Sequence, residues 1–232
     1  TCAINDAKKN GVKIVFSSIY WDFSEFNLIG RNSLFHSTLA RLLSEFNVEK
    51  IKDAVRFGNS KFDKFKLAKY LISDYKKTLS NVDMFLPNSH GEGELIRDRV
   101  VKGAPYTPVY NAVDQNRFNL NVEPKERAGA MLAARIDPRK NILSLVKAIK
   151  CYPLDIYGKV ADNHRSYFSE VQENASAQIS FQGYLTPDAL PDTYRKYLIH
   201  IMPSWLETPG LSQLEAAACG CNIVTSNRGS TE

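Results

Sequence analysis

"AGAMLAARIDPRKNILSLVKAIK" occupies residues 128–150 and joins two patterns within one short run. Its opening, "AGAMLAARI", is apolar almost throughout, as a strand covered on both faces must be. After the polar "DPRK" the apolar residues of "NILSLVKAIK" recur at helical spacing. The same alternation repeats downstream. "LDIYGKV" (154–160) reads as a strand and "HRSYFSEVQENA" (164–175) as a helix, followed by the strand "ISFQGYL" (179–185) and a helix opening in "TPDALPDTYRKY" (186–197). The strand "LIHIMPS" (198–204), a helix in "GLSQLEAAACG" (210–220) and the strand "NIVTSN" (222–227) complete the series. Short apolar runs separated by helices predict an α/β fold with a parallel sheet and helices on both of its faces.

Upstream the alternation is less regular. "GVKIVFSSIYW" (11–21), "VDMFLPNS" (82–89) and the shorter "YTPVYN" (106–111) read as strands, and 34–79 as mainly helical. "SHGEGEL" (89–95) opens a helix through a capping box in which Ser89 and Glu92 take each other's backbone amides. Polar, aperiodic sequence separates the halves. The expected layout is a partial first domain over 1–112, a linker over 113–127 and a second domain over 128–232. The first expected strand begins near Val12 and the chain stops in a loop, so truncation at both ends is a further expectation.

The 232 residues carry a net charge of +5, concentrated in 50–79. Over 50–77 there are nine Lys or Arg against three Asp, while Phe62, Phe65, Leu71, Ile72 and Tyr75 recur at helical spacing. This is either a solvated helix face or a patch that rests on anionic lipid or guides an anionic ligand. No nucleic-acid motif accompanies the charge, which argues against that partner. No apolar run approaches the roughly 18 residues that cross a bilayer. The N-terminus lacks the apolar segment of a signal peptide, and four cysteines make no disulfide framework. The expected location is cytoplasmic, peripheral to the inner membrane face if the basic stretch does bind lipid.

Ligands of parallel α/β sheets collect where strand ends lead into helices. Arg135 and Lys140 flank such a loop and could hold a diphosphate, one as a planar fork and one as a point charge; an ordinary basic surface loop is the alternative. In "ETPGLSQLE" (207–215) the Pro209–Gly210 break starts a helix near Leu211. Its free amides suit a phosphate, and Gly210 leaves their approach clear of a Cβ. Carboxylates beside them would accept from paired hydroxyls: Glu215 from a ribose and Glu207 from a hexose. The alternative is Glu207 as a charge at the helix approach and Glu215 as an exposed helix position, but in an Ala-rich helix that looks buried an unpaired Glu215 would be costly. Gly183, in "FQGYLTP", lets the backbone approach a flat base.

Together these stretches resemble the retaining, nucleotide-sugar-dependent glycosyltransferases of the GT-B fold, the family 4 group. "PSWLETPGLSQLEAAACGCNIVTSNRGSTE" is similar to that group's signature, with Glu207 and Glu215 matching its Glu, seven residues, Glu. "LAARIDPRKN" resembles its strand and loop carrying an Arg and a Lys. "VYNAVDQNRF" and "ISFQGYL" resemble two further elements in the expected order. The likeness covers Tyr106–Glu232 well and the first half diffusely. Where many members have His-Asp, this chain has "SSIYWDF", with Tyr20 or Trp21 in place of the histidine, and the glycine-rich N-terminal loop is absent.

The resemblance implies two Rossmann-like domains and transfer of a hexose from a nucleotide diphosphate sugar to a glycan or lipid-linked acceptor, with retention. Glu207, Arg135 and Lys140 would serve the reacting centre. Thr208, Pro209, Gly210, Leu211, Ser212, Glu215, Gly183 and Tyr184 would hold the donor. No Asp-x-Asp is present to hold a metal, so no metal or other cofactor is expected. Two alternatives remain: a module that binds the nucleotide sugar without transferring it, and a nucleotide-sugar epimerase of the same fold. A glycoside hydrolase fits poorly, because eight helical residues rise about 12 Å, beyond the roughly 5 to 9.5 Å between its two carboxyl groups. A dinucleotide enzyme lacks its third glycine.

Overall fold

The structure, a computed structural model, describes residues 2–17, 77–120, 126–205, 207 and 210–227. The basic stretch up to residue 76, the "SIYWDF" segment, Thr208 and Pro209 lie outside the described residues. The chain divides into two compact units, Thr1–Tyr110 and Asn111–Thr231.

The first unit contains α1 (Cys2–Lys9), β1 (Val15–Ser17), β2 (Met84–Leu86) and α2 (His90–Leu95), which runs into a π turn at Ile96–Val100. Strands β1 and β2 are parallel, with Val15 opposite Met84. Phe85, Leu79, Val82, Ile96 and Ala104 form its core. Helix α1 precedes the strand expected from Val12 and has no counterpart in the sequence reading; Lys8 fastens it to Asp83 at 2.7 Å. The strand expected over 106–111 shrinks to a single bridge between Tyr106 and Phe85. The Ser89 hydroxyl accepts from the Glu92 amide at 3.0 Å, while the Glu92 carboxylate accepts from the Asn88 amide at 2.7 Å. The Ser89 half of the expected box is thus in place, and Glu92 reaches the amide of Asn88, one residue before it.

The second unit is built on β3 (Ala130–Ala133), β4 (Leu154–Tyr157), β5 (Ile179–Gly183), β6 (Ile199–Met202) and β7 (Asn222–Thr225). All pair in parallel, in the order β5-β4-β3-β6-β7. The helices are α3 (Ile142–Ala148), α4 (Arg165–Glu173), α5 (Leu190–Tyr194) and α6 (Leu211–Ala218). Every residue of the central strand β3 is buried. Ala130 and Leu132 join Ile142, Val146 and Val171 of α3 and α4, whereas Met131 and Ala133 join Tyr194, Ala216 and Cys219 beside α5 and α6. Period-two alternation therefore sends neighbouring side chains into two cores, which is why β3 is apolar without a break.

Phe118, within the stretch read as linker, is 5% exposed and packs in the second of these cores. Arg127 closes the C-terminal end of α6, donating to the carbonyls of Gly220 at 2.5 Å and Cys219 at 3.0 Å. Among the described residues no helix is long and apolar enough to cross a membrane.

Candidate functional site

The chain winds outward from β3 through β4 to β5, then returns to the other side for β6 and β7. The winding reverses between β3 and β6, and the loops leaving their carboxyl ends diverge to form a crevice. Three contacts join these two loops. The Trp205 amide donates to the Arg139 carbonyl at 2.9 Å, Asn141 Nδ2 to the Pro203 carbonyl at 3.1 Å, and Lys140 Nζ to Glu207 Oε1 at 2.6 Å.

Glu207 is 5% exposed and the Lys140 side chain 18%, so each ion offsets the desolvation of the other. The Ser204 hydroxyl donates to the same Glu207 oxygen at 2.5 Å, and the Ser204 carbonyl accepts from Ser226 Oγ at 2.5 Å. Both bonds to Glu207 fall on Oε1, leaving Oε2 without a protein partner among the described residues.

Asp137 caps the short 3-10 turn Pro138–Lys140 by accepting from the Arg139 amide at 2.9 Å, and the Arg139 guanidinium folds back on the same carboxylate. Arg135, at the exit of β3, is exposed and has no ion pair among the described residues. Asn141 does not cap α3 with its side chain. It sits in the left-handed region at φ 54, and its amide is taken up by Pro203. The Tyr167 hydroxyl instead accepts from the Leu143 amide in the first turn, at 3.1 Å.

At the carboxyl ends of the same sheet lies a cleft of about 180 Å³ lined by Ala134, Gly158, Tyr184, Leu185, Ser212 and Glu215, among others, but not by Lys140, Ser204 or Glu207. Gly158 makes the cleft's geometry possible: a Cβ there would stand 1.9 Å from the Ala134 carbonyl oxygen. Its amide donates to the Gly183 carbonyl at 2.8 Å, so the exits of β3, β4 and β5 are held close together. Gly183 itself has φ +74, and a Cβ there would meet nothing.

At the opposite wall Glu215 accepts from the Tyr194 hydroxyl at 3.4 Å. Burial pushes the Glu215 carboxyl above its usual range, opposed by the Tyr194 hydroxyl and the charge of Arg117. Burial, with Glu215 adjacent, raises the Tyr194 phenol well above its ordinary value.

The structure therefore brings Ser212, Glu215 and Tyr184 to one cleft, and Lys140 to Glu207 at the neighbouring strand ends. Leu211, the first residue of α6, is 45% exposed. Gly210 is buried at the cap of α6 and supplies no side-chain cap. Gln213 turns away to donate to Thr225 Oγ1 at 2.9 Å. Gly158, Tyr194 and Ser204 escaped the sequence reading. Gly158 follows β4 just as Gly183 ends β5, and Ser204 stands three residues before Glu207 in the quoted run, so both left a trace; Tyr194 left none. Cys219 and Cys221 are buried free thiols, and among the described residues no cluster of His, Cys, Asp and Glu could hold a metal.

Comparison with known proteins gives this arrangement a context. The chain is 29% identical over 107 residues to the O-antigen chain mannosyltransferase B of Escherichia coli, covering 42% of this chain and 28% of that protein. It is 32% identical over 105 residues to the serotype-specific mannosyltransferase WbdA of the same organism, covering 40% and 13%. Solved structures share its fold, two of them as follows. Sucrose-phosphate synthase from Thermosynechococcus elongatus superposes with a TM-score of 0.59 at 20% identity, over 97% of this chain and 58% of that one. HepE from Anabaena, solved in complex with UDP and glucose, does so with a TM-score of 0.59 at 14% identity, over 98% and 56%. The matches span less than a third of the curated relatives and under two thirds of these solved chains. The family model described as glycosyl transferases group 1 matches residues 114–232, which is 119 of 232 positions and takes in both loops and the cleft. A parallel sheet that reverses at β3, the matching solved folds and a family match over half its length place the chain among the group 1 glycosyl transferases, with their GT-B fold.

Proposed function

We propose that this chain binds a nucleotide diphosphate sugar in its second unit and transfers a hexose from it to a glycan or lipid-linked acceptor, with retention at the anomeric carbon and without a metal. In this reading the second unit is the donor domain and the first the acceptor-side domain. The observation that carries the proposal is that the Lys140–Glu207–Ser204 cluster and the Glu215 cleft both stand at the carboxyl ends of one parallel sheet. Mannosyltransferase relatives favour a hexose, and a solved fold relative holding UDP and glucose favours a nucleotide-linked one.

The chemistry needs negative charge to be stabilised on the departing diphosphate. Arg135, exposed and unpaired, can take its oxygens in a planar fork. Lys140 lies next to the same loop, and the free amides at the start of α6 add partial positive charge. These groups take the place of a metal. With Oε1 held by Lys140 and Ser204, Glu207 offers Oε2 to a sugar hydroxyl and fixes the ring relative to the diphosphate. Glu215 takes the ribose hydroxyls. Gly183 and Tyr184 leave room for the base.

Calorimetric titration with UDP-, GDP- and ADP-sugars in the presence of EDTA tests the reading. One base is expected to bind with undiminished affinity in the chelator, and Glu215→Ala to weaken it at least tenfold. If no nucleotide sugar binds, the proposal fails. Binding with no transfer to any saccharide or lipid-linked acceptor would leave a binding module.

A further inference from the structure

We propose that Tyr194 is a positioning residue for the nucleotide: its hydroxyl holds the Glu215 carboxylate at the cleft wall in the orientation that receives the ligand's hydroxyls. The inference rests on the donor reading above, and deepens it at one residue that neither the sequence nor the family match singles out. Tyr194 is wholly buried at the end of α5 yet lines the cleft. Its ring is gripped from two sides, by Phe118 at 6.2 Å between centroids and by His200 at 5.7 Å in an edge-to-face contact. Its backbone carbonyl accepts from Cys221 Sγ at 3.1 Å. The next residue, Arg195, is tied to the Asn119 carbonyl at 2.8 Å and to the Asn119 side chain at 3.0 Å. A phenol clamped in this way cannot follow Glu215 if the carboxylate moves. It sets where the carboxylate rests, at 3.4 Å from the hydroxyl.

The direction of the bond fixes the chemistry. The phenol is the donor and Glu215 Oε2 the acceptor, so the bond favours the ionised carboxylate. Oε1 stays open to accept from a ligand hydroxyl. Arg117 also acts on Glu215 electrostatically, Cys219 lies close enough to feel its charge, and Tyr157 and Tyr184 share the cleft. Of these groups, Tyr194 is the one that hydrogen-bonds the Glu215 side chain among the described residues.

The test uses the full chain and Tyr194→Phe, which keeps the ring in its packing and removes only the oxygen. Two quantities are read: the affinity for UDP, GDP and ADP, and the titration of the Glu215 carboxyl by carbon NMR without nucleotide. The variant is expected to bind the preferred nucleotide about two- to twelvefold more weakly, as loss of one long intramolecular hydrogen bond implies. Its Glu215 should titrate at higher pH, so that the acid limb of nucleotide binding moves upward. A merely structural role would leave that titration in place. Unchanged affinity with an unchanged Glu215 titration overturns the proposal even where wild-type binding upholds the donor reading. If the unaltered chain binds none of the three nucleotides, both fall together. Should Tyr194→Phe not fold, the Tyr194 hydroxyl proton of the wild type is followed instead. It must shift as Glu215 titrates, and a resonance indifferent to that titration contradicts the inference.

Discussion

His200 is the residue whose chemistry the site does not use. It is fully buried in β6, and neither ring nitrogen has a hydrogen-bond partner among the described residues. Burial holds the imidazole neutral, pushing its pKa from 6.5 down to about 4. The unfolded chain therefore takes up the proton first as pH falls. The folded state keeps its full advantage above about pH 6.5, loses it progressively toward pH 4 and loses no more from this group below that. Urea unfolding at pH 7.5 and pH 5 should show roughly 2 kcal/mol of this loss, and His200→Phe should remove that part of the pH dependence. The variant keeps an aromatic ring against Tyr194 and leaves no buried nitrogen unsatisfied. An equal pH dependence in both proteins would mean that the imidazole is hydrated. Cys221 is perturbed by the same cause: burial raises its thiol to about 11, so it is an unreactive core group.

Two glycines separate backbone constraint from side-chain constraint at the scale of elements. An added Cβ at Gly158 meets the Ala134 backbone oxygen at 1.9 Å, whereas at Gly210 it meets the side-chain amide of Gln213 at 2.8 Å, which can shift only by giving up its bond to Thr225. Gly210 also has φ −82, which any residue can adopt. Gly158→Ala should therefore cost roughly 2 kcal/mol or more by urea unfolding and weaken nucleotide binding, because the exits of β3 and β4 must part. Gly210→Ala should cost less, about 1 kcal/mol for the displaced Gln213 hydrogen bond, and also act on binding by crowding the amides of α6. Equal stability losses would contradict this picture of the cleft. The strands were legible because each is a short apolar run between helices, a local pattern. The Ser89–Glu92 cap was legible for the same reason. The start of α3 was not, because Asn141, the residue placed to cap it, gives its side chain to Pro203, 62 positions away. Tyr194 and Glu215 are separated by 21 residues and the reversal of the chain between α5 and α6, and no spacing rule announces such a contact.

At the scale of the whole molecule, the second unit owes its site to strand order. Placing β3 at the centre brings the loop carrying Arg135 and Lys140 against the loop carrying Glu207, and α6 presents Ser212 and Glu215 to the cleft. The sequence could name these residues because their loops lie at the ends of recognisable strands. It could not show that Lys140 and Glu207 would neutralise each other, since a close ion pair depends on register across the crevice. The first unit was read less well because its two described strands are only three residues long. The measurement that bears most directly on the account is a crystal structure of the chain with its preferred nucleoside diphosphate bound. It should place the ribose hydroxyls on Glu215 and the diphosphate among Arg135, Lys140 and the first amides of α6, with Glu207 Oε2 facing the position of the sugar. A nucleotide bound away from Glu215, or a diphosphate that touches neither the β3 loop nor the start of α6, would contradict it.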